Sequence, residues 1–334
     1  MKTKTWFVLA FLSVVAGLMP AIARAQFTNP RPILRAADEH LALLLSRAYD
    51  RLDKAADDAR ANASKTSDGQ PLLGAIYQAT GGCNCGNQLT DELWRVRKER
   101  LEEWRKRNPG SITASVSLAT FPLRYGWFAR GGGYANTVNK EGWQLLRERV
   151  EEARLALAAL DAQAKADPGW FDAMLEIATS QGWPRERFDA LLEQAVRKYP
   201  DYLPFYFAAA VYYAPRWYGS VEELRRVVED ATERTRPRMG QTLYARLNWA
   251  LETEDMFKDG QTDWKRMKAG FERMVKDYPD PWNVNNFARF ACEAGDWATV
   301  RRLATTIGDK PIAMAWYNDL KYYAECRDQA ARVR

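Results

Sequence analysis

Two segments of this chain spell the same structural unit: Gln194-Ala-Val-Arg-Lys-Tyr-Pro-Asp201 and Arg273-Met-Val-Lys-Asp-Tyr-Pro-Asp280. Each closes an amphipathic stretch and opens an aromatic one. Their prolines, Pro200 and Pro279, stand about 80 positions apart, the length of roughly two helix-pair modules of a repeat array. Proline lacks a backbone donor and steers the residue before it away from helical geometry, so each copy ends one helix before the next begins. The pattern predicts an all-α fold: a helical-hairpin solenoid with a less regular helical N-terminal part. Such an array specifies a surface for binding but no particular chemistry.

Residues 1–25 stand apart from this pattern. Lys2 and Lys4 form a basic start, an apolar run extends over 6–19, and Ala23-Arg24-Ala25 offers a small-residue cleavage site, the arrangement of a secretory signal peptide. The run is short for a bilayer span and no later stretch approaches one, so the chain is not expected to cross a membrane. No cysteine follows the cleavage site at Gln26, which argues against a lipid anchor and for a periplasmic or extracellular product. Removing Lys2, Lys4 and Arg24 takes three positive charges from the formal +6, leaving a mildly basic protein. The expected organisation is a leader over 1–25, an N-terminal helical region with a Gly- and Cys-containing loop over 26–110, and the repeat domain over 111–334.

A single histidine, His40, falls in a helix expected over 36–56 beside Leu41, Leu43, Leu44 and Leu45. One histidine excludes multi-histidine zinc sites and HExxH chemistry, and no GxSxG elbow is present to partner it in a triad. No metal, cofactor or catalytic residue is expected. Four cysteines suit an oxidising compartment. Cys292 and Cys326 are one module length apart, the better pair for a bridge between neighbouring repeats, worth about 3 to 4 kcal/mol. Cys83 and Cys85, in Gly81-Gly-Cys-Asn-Cys-Gly86, permit a small strained disulfide, a soft-metal half-site or bridges elsewhere; a disulfide is favoured because no further ligands are in sight.

Leucines at 41, 44 and 45 with Ala48 and Leu52 keep helical spacing to about residue 60, and the Ser, Asn, Asp and Gly of 61–69 read as a loop. Thr90-Asp91 caps a helix to about 108, with Leu93, Val96, Leu101 and Trp104 on one side. Its Arg and Lys residues read either as a basic docking face or, interleaved with Glu99, Glu102 and Glu103, as a solvated ion-pair ladder. Secretion excludes nucleic acid, so an anionic envelope polymer is the partner such a face would take. Residues 112–123 satisfy strand and helix spacing alike, and helical neighbours favour helix. Gly131-Gly132-Gly133 has neither the strand nor the Gly-Lys-Ser/Thr of a phosphate cradle.

Leu146, Val150, Ala153, Leu157 and Leu160 step along one helical face, and Asp167-Pro168 starts a helix that Gly182 ends. Phe188 to Val196 form the next stripe. The aromatic stretch 202–213 comes after it, and Ser220 with Glu223 makes a capping box for a helix over 221–235. Further helices are expected over 243–251, 264–276, 282–294, 297–307 and 316–326, with Gly295-Asp296 as a tight turn.

These residues resemble the bacterial family grouped as domain of unknown function 4034. The segments that carry the resemblance are Ala129-Arg-Gly-Gly-Gly-Tyr-Ala-Asn-Thr-Val138 with Glu141-Gly-Trp143, Pro215-Arg-Trp-Tyr-Gly-Ser220, Asp263-Trp-Lys-Arg-Met-Lys-Ala-Gly-Phe271, and Tyr278-Pro-Asp-Pro-Trp-Asn283 with 287–296. The resemblance spans residues 90–310 and implies a tetratricopeptide-like architecture, with no activity or catalytic residue to transfer. Tyr218 stands where that family's Pro-Arg/Lys-Trp-Gly-Gly-Ser pattern has glycine, which puts the tightness of the turn in question.

The expected function is that of a non-enzymatic interaction scaffold gripping a protein or peptide. Its candidate contacts are Tyr202, Tyr206, Tyr213, Arg216, Trp217 and Tyr218, since aromatic and Arg side chains dominate binding hot spots; Arg216 and Tyr218, at the turn, should be the most exposed. One alternative is a cell-envelope carbohydrate-binding protein using the 13 Trp and 15 Tyr as stacking surfaces. Another is a hydrolase built on carboxylates such as Asp263 or Asp296.

Overall fold

The computed structural model describes residues 29–82, 90–131, 133, 135–252, 256–257, 260 and 262–333. The leader and the Cys83 and Cys85 pair lie outside the described residues. Those described are helical, with no strand among them beyond one isolated bridge between Lys65 and Pro71.

The N-terminal part holds α1 (Pro32–Leu45), α2 (Tyr49–Ala61), α3 (Leu72–Gly81) and α4 (Asp91–Arg107). The helix expected over 36–56 is two helices. Ser46 Oγ turns back to the Ala42 carbonyl at 2.7 Å, and Arg47 adopts a left-handed φ of 60°. The break lets α1 pack on α3 and α4 while α2 reaches α3 and the following helix, a division of contacts that one straight rod could not make. His40 sits on α1 with its Nδ1 2.6 Å from the Ala36 carbonyl oxygen. Thr90 Oγ1 caps α4 by accepting from Leu93 N, but the buried stripe is Trp94, Arg97, Leu101 and Trp104, and Leu93 is exposed. On the solvent side Arg95 pairs with Glu92 and Glu99, and Lys98 and Arg107 lie within 3.9 Å of Glu102 and Glu103. The ladder therefore pairs part of the basic face, with Arg105 bonded to the Pro109 carbonyl instead.

Helix α5 (Ile112–Arg130) resolves the ambiguity of 112–123. Almost every side chain from Thr113 to Phe121 is buried, because α3, α4 and α6 (Lys140–Ala158) pack around it. A helix covered on all sides has no polar stripe, so no period could reveal it. On α6 the residues Leu146, Val150, Ala153 and Leu157 are buried as their spacing predicts. After the short α7 (Ala162–Lys165), pairs come in order: α8 (Pro168–Gln181) with α9 (Arg185–Lys198), α10 (Pro204–Tyr212) with α11 (Val221–Met239), α12 (Thr242–Ala250) with α13 (Trp264–Asp277), and α14 (Pro281–Glu293) with α15 (Trp297–Ile307). Helix α10 touches both α8 and α12, so the first members of these three pairs lie side by side. Helix α16 (Leu320–Arg332) ends the series.

The two Tyr-Pro-Asp copies have the same backbone at their tyrosines. Tyr199 has φ −133° and ψ 69°, and Tyr278 has φ −137° and ψ 79°, both outside the α region that the following proline disfavours. Their aspartates act differently. In the second copy Asp280 Oδ1 caps α14 by accepting from Trp282 N at 2.8 Å. In the first, Asp201 pairs with Arg238 at 2.5 Å, and α10 starts only at Pro204.

The segment 62–71 is more than a surface loop. Thr66 N donates to the Gln70 carbonyl at 2.8 Å, folding it into a compact turn. Lys65 Nζ donates to the Asp201 carbonyl at 3.2 Å, Ser67 Oγ to Asp280 at 2.5 Å, and Gly69 lies against the Tyr278 ring. A Cβ at Gly69 would fall 2.6 Å from that ring, at a φ of 85°. The loop is thus a tie between both Tyr-Pro-Asp turns. A second link is Arg60, whose Nε donates to the buried Asp167 at 2.6 Å.

One hydrophobic core runs from Leu44 in α1 to Ala330 in α16. Fully buried Trp94, Trp104, Trp316 and Phe188 are among its largest members, and burial of a ring of Phe size contributes roughly 1.5 to 3 kcal/mol. At its C-terminal end Cys292 and Cys326 form a disulfide, with a Cα–Cα distance of 5.8 Å. None of the helices described is long and apolar enough to cross a membrane.

Candidate functional site

The first helices of successive pairs leave a groove with two halves. The first half, 560 Å³, lies between α5, α8 and α10; the second, 430 Å³, lies between α12, α14 and the segment around Tyr317. Arg31, Gln70 and Phe207 line both, so the halves join beneath the tying loop and the start of α1.

Helix α10 explains the first half. Phe205, Tyr206, Ala209 and Tyr212 are buried in the core, leaving Phe207, Ala208 and Val211 half-exposed along the groove. Trp127 of α5 and Trp217 stand at the far wall, ring centroids 6.0 Å apart and planes at 76°; Trp127 Nε1 donates to Ser180 Oγ at 3.2 Å. Two carboxylates enter from α8. Glu176 pairs with Arg124 at 2.5 Å. Asp172 accepts no hydrogen bond among the described residues, and burial pushes its carboxyl up to about 7, with the Glu176 charge adding to the rise and Arg124 opposing it.

The second half is polar at its floor. Arg289, 2% exposed, is held by Glu252 and, at 2.7 Å, by Glu293; Tyr317 bonds to all three. Burial raises the Glu293 carboxyl against the pull of Arg289, and burial with the Glu252 bond raises the Tyr317 hydroxyl. Arg246, 3% exposed, donates from Nη2 to the Asp68 carbonyl and forms no ion pair among the described residues. Asn283 Nδ2 donates to the same carbonyl at 3.2 Å. Trp249 and Trp282 complete the wall, ring centroids 6.1 Å apart.

The residues singled out from sequence are divided by this geometry. Tyr202, Tyr206 and Tyr213 are core, not contact surface. The Tyr206 hydroxyl donates to the Pro200 carbonyl at 2.8 Å and that of Tyr213 to Asp189 at 2.7 Å, so both are occupied within the protein. Their density reflects the tight packing of α9 on α10, where Phe188 and Tyr212 stack at 3.9 Å. Trp217 lines the groove. Tyr218 is 41% exposed, yet its hydroxyl donates to the Thr179 carbonyl at 2.9 Å and pins the turn to α8. Arg216 is exposed and lies outside the groove lining. The close approach in this turn is at Gly219, where a Cβ would come within 2.1 Å of the Tyr213 carbonyl oxygen. Position 218 has an ordinary φ and accepts tyrosine.

Asp263 and Asp296 cap α13 and α15, accepting from Arg266 N at 3.3 Å and Thr299 N at 3.1 Å. Burial opposes it, but bonds from Lys268, Thr299 and Trp264 bring the Asp296 carboxyl down to about 2. Neither lines the groove. No group of three or more His, Cys, Asp or Glu able to hold a metal ion occurs among the described residues.

Sequence reasoning passed over Asp172, Phe207, Arg246, Trp249, Arg289 and Tyr317 as site residues. For α14 a signal existed: Asn283, Asn286 and Arg289 recur every third residue in a helix where Asn285 and Glu293 are the only other polar residues, and all three are buried. Polar groups repeated on a core-facing helix need partners, which here include the groove. The chain as a whole matches no family model, no curated protein and no solved structure.

Proposed function

We propose that this protein is a non-enzymatic scaffold that holds an extended protein segment in the groove, outside the cytoplasm. The observation that carries the reading is the uncovered apolar strip of Phe207, Ala208 and Val211 on α10, at the centre of a groove continuous over both halves. A core-type helix face left open to solvent is unfavourable unless a partner covers it. Buried Asn and Arg side chains in the second half supply hydrogen-bonding groups suited to an amide backbone. Trp127 and Trp217 meet edge to face and form no flat double platform, which favours peptide side chains over stacked sugar rings.

Export is part of the same proposal, supported by the leader-like residues 1–25 and by the Cys292–Cys326 bridge. So is membership of the domain of unknown function 4034 family, supported by the ordered segments that resemble it, and the stacking of the pairs into a solenoid.

The test is peptide display on the disulfide-intact protein, repeated with Phe207→Asp. Enrichment of a defined class of peptides by the wild type and its loss in the variant, at unchanged melting temperature, is the expected result. Enrichment indifferent to the substitution removes the groove from the proposal. N-terminal sequencing of the exported protein should begin at Gln26.

A further inference from the structure

Two arginines are sunk in the wall of the second half, and the protein treats them differently. Arg289 lies between Glu252 and Glu293. Arg246 has no acidic partner among the described residues: its one hydrogen bond runs from Nη2 to the Asp68 carbonyl, while the Asp68 carboxylate accepts from Thr66 Oγ1. A guanidinium carries five donors, and a cation withdrawn from water with no ion pair to hold it, only the more remote charge of Asp68, is unfavourable. Burial does hold the Arg246 guanidinium down, at about 10, against the pull of Asp68 and Tyr278.

A second cation faces the same space. Arg31 is exposed, makes no ion pair among the described residues, and rests its guanidinium 5.9 Å from the Trp282 ring centroid. Gln70 and Asn286 lie on the same lining, and its one acid among the described residues is Glu252, which shares Arg289 with Glu293.

We infer that the second half is an oxyanion subsite that takes a carboxylate of the bound peptide between Arg246 and Arg31. The inference rests on the peptide-binding reading and adds the class of residue the groove selects. A carboxylate carries one charge, so Glu252 repels it less than it would a dianionic phosphate. Planar guanidinium groups match its two oxygens.

The test uses the disulfide-intact protein and two fluorescent decapeptide pools built from Phe, Leu and Ser with either Glu or its neutral isostere Gln. The Glu pool should bind about tenfold tighter, the effect of one charge-assisted hydrogen-bonded pair. Arg31→Gln should reduce that preference without changing the melting temperature, and Arg246→Lys should reduce it further. Butyrate, which carries a single carboxylate, should compete better than inorganic phosphate at equal ionic strength. Equal binding of the two pools overturns the subsite and leaves the peptide reading intact. Phosphate competing better than butyrate overturns the carboxylate assignment. If neither pool binds, the peptide reading fails, and butyrate alone decides the subsite: it must raise the melting temperature of the wild type more than that of Arg31→Gln, or the inference falls.

Discussion

Helices α10 and α14 each come after a copy of the same Tyr-Pro-Asp unit and line the same groove, yet they present it with opposite chemistry. Helix α10 offers Phe207, Ala208 and Val211; α14 offers Trp282, Asn286 and Arg289. The backbones at the two tyrosines agree to within 10°. The repeat therefore governs where helices stop, while the groove-facing positions vary freely. The aspartates diverge likewise, one capping the next helix and the other pairing with Arg238.

Four experiments put this contrast at risk. The largest effect is expected at the α14 end: replacing Cys292 and Cys326 by Ser should lower stability by about 3 kcal/mol, read as a fall in the urea midpoint. An unchanged midpoint would mean that the bridge adds nothing to this half. Next, Phe207→Asp should weaken peptide binding at least about thirtyfold, the effect of losing a central apolar anchor; titration calorimetry against a selected peptide measures it. The two aspartates give a direct comparison. Asp280→Ala loses an N-cap and should cost about 1 kcal/mol, whereas Asp201→Ala loses an exposed ion pair and should cost about 0.5 kcal/mol or less. Equal losses would show that the copies are energetically alike after all.

The smallest effect concerns pH. The folded state holds the Asp172 proton up to about 7, against an ordinary value of 3.8. The unfolded chain releases it earlier, so stability from this group is fullest at low pH and declines as pH rises through that interval, then levels. Water in the groove screens the carboxylate, so the slope is shallow. Asp172→Asn should flatten it, and a slope unaltered by the substitution would assign the titration elsewhere.

Sequence periodicity was sufficient for α6 and α8, which have one buried face and clear caps. It failed where burial was many-sided: α5 shows no stripe because helices pack around it, and the α1–α2 break at Arg47 answers to tertiary contacts that leave no mark on the leucine pattern. The aromatic stretch 202–213 includes a helix that lines the groove, but Tyr202, Tyr206 and Tyr213 are buried in the core and Phe207 is on the lining. Tyr206 and Phe207 are neighbours of similar size, and only packing against α9 and α11 determines which one turns inward. Arg246 was invisible for a related reason: an arginine among apolar residues reads as a surface charge until the loop from Ser64 to Pro71 is known to cover it.

That loop alters how the stack can come apart. Linear arrays of helix pairs unravel from their ends, each pair depending only on its neighbours. Here residues 65–69 hold turns more than a hundred positions downstream, so loosening the last pairs also releases the N-terminal part, and cutting the chain before α14 would strip a contact from its first eighty residues. Unfolding should accordingly be all-or-none, with amide exchange in 65–69 as slow as in the final helices.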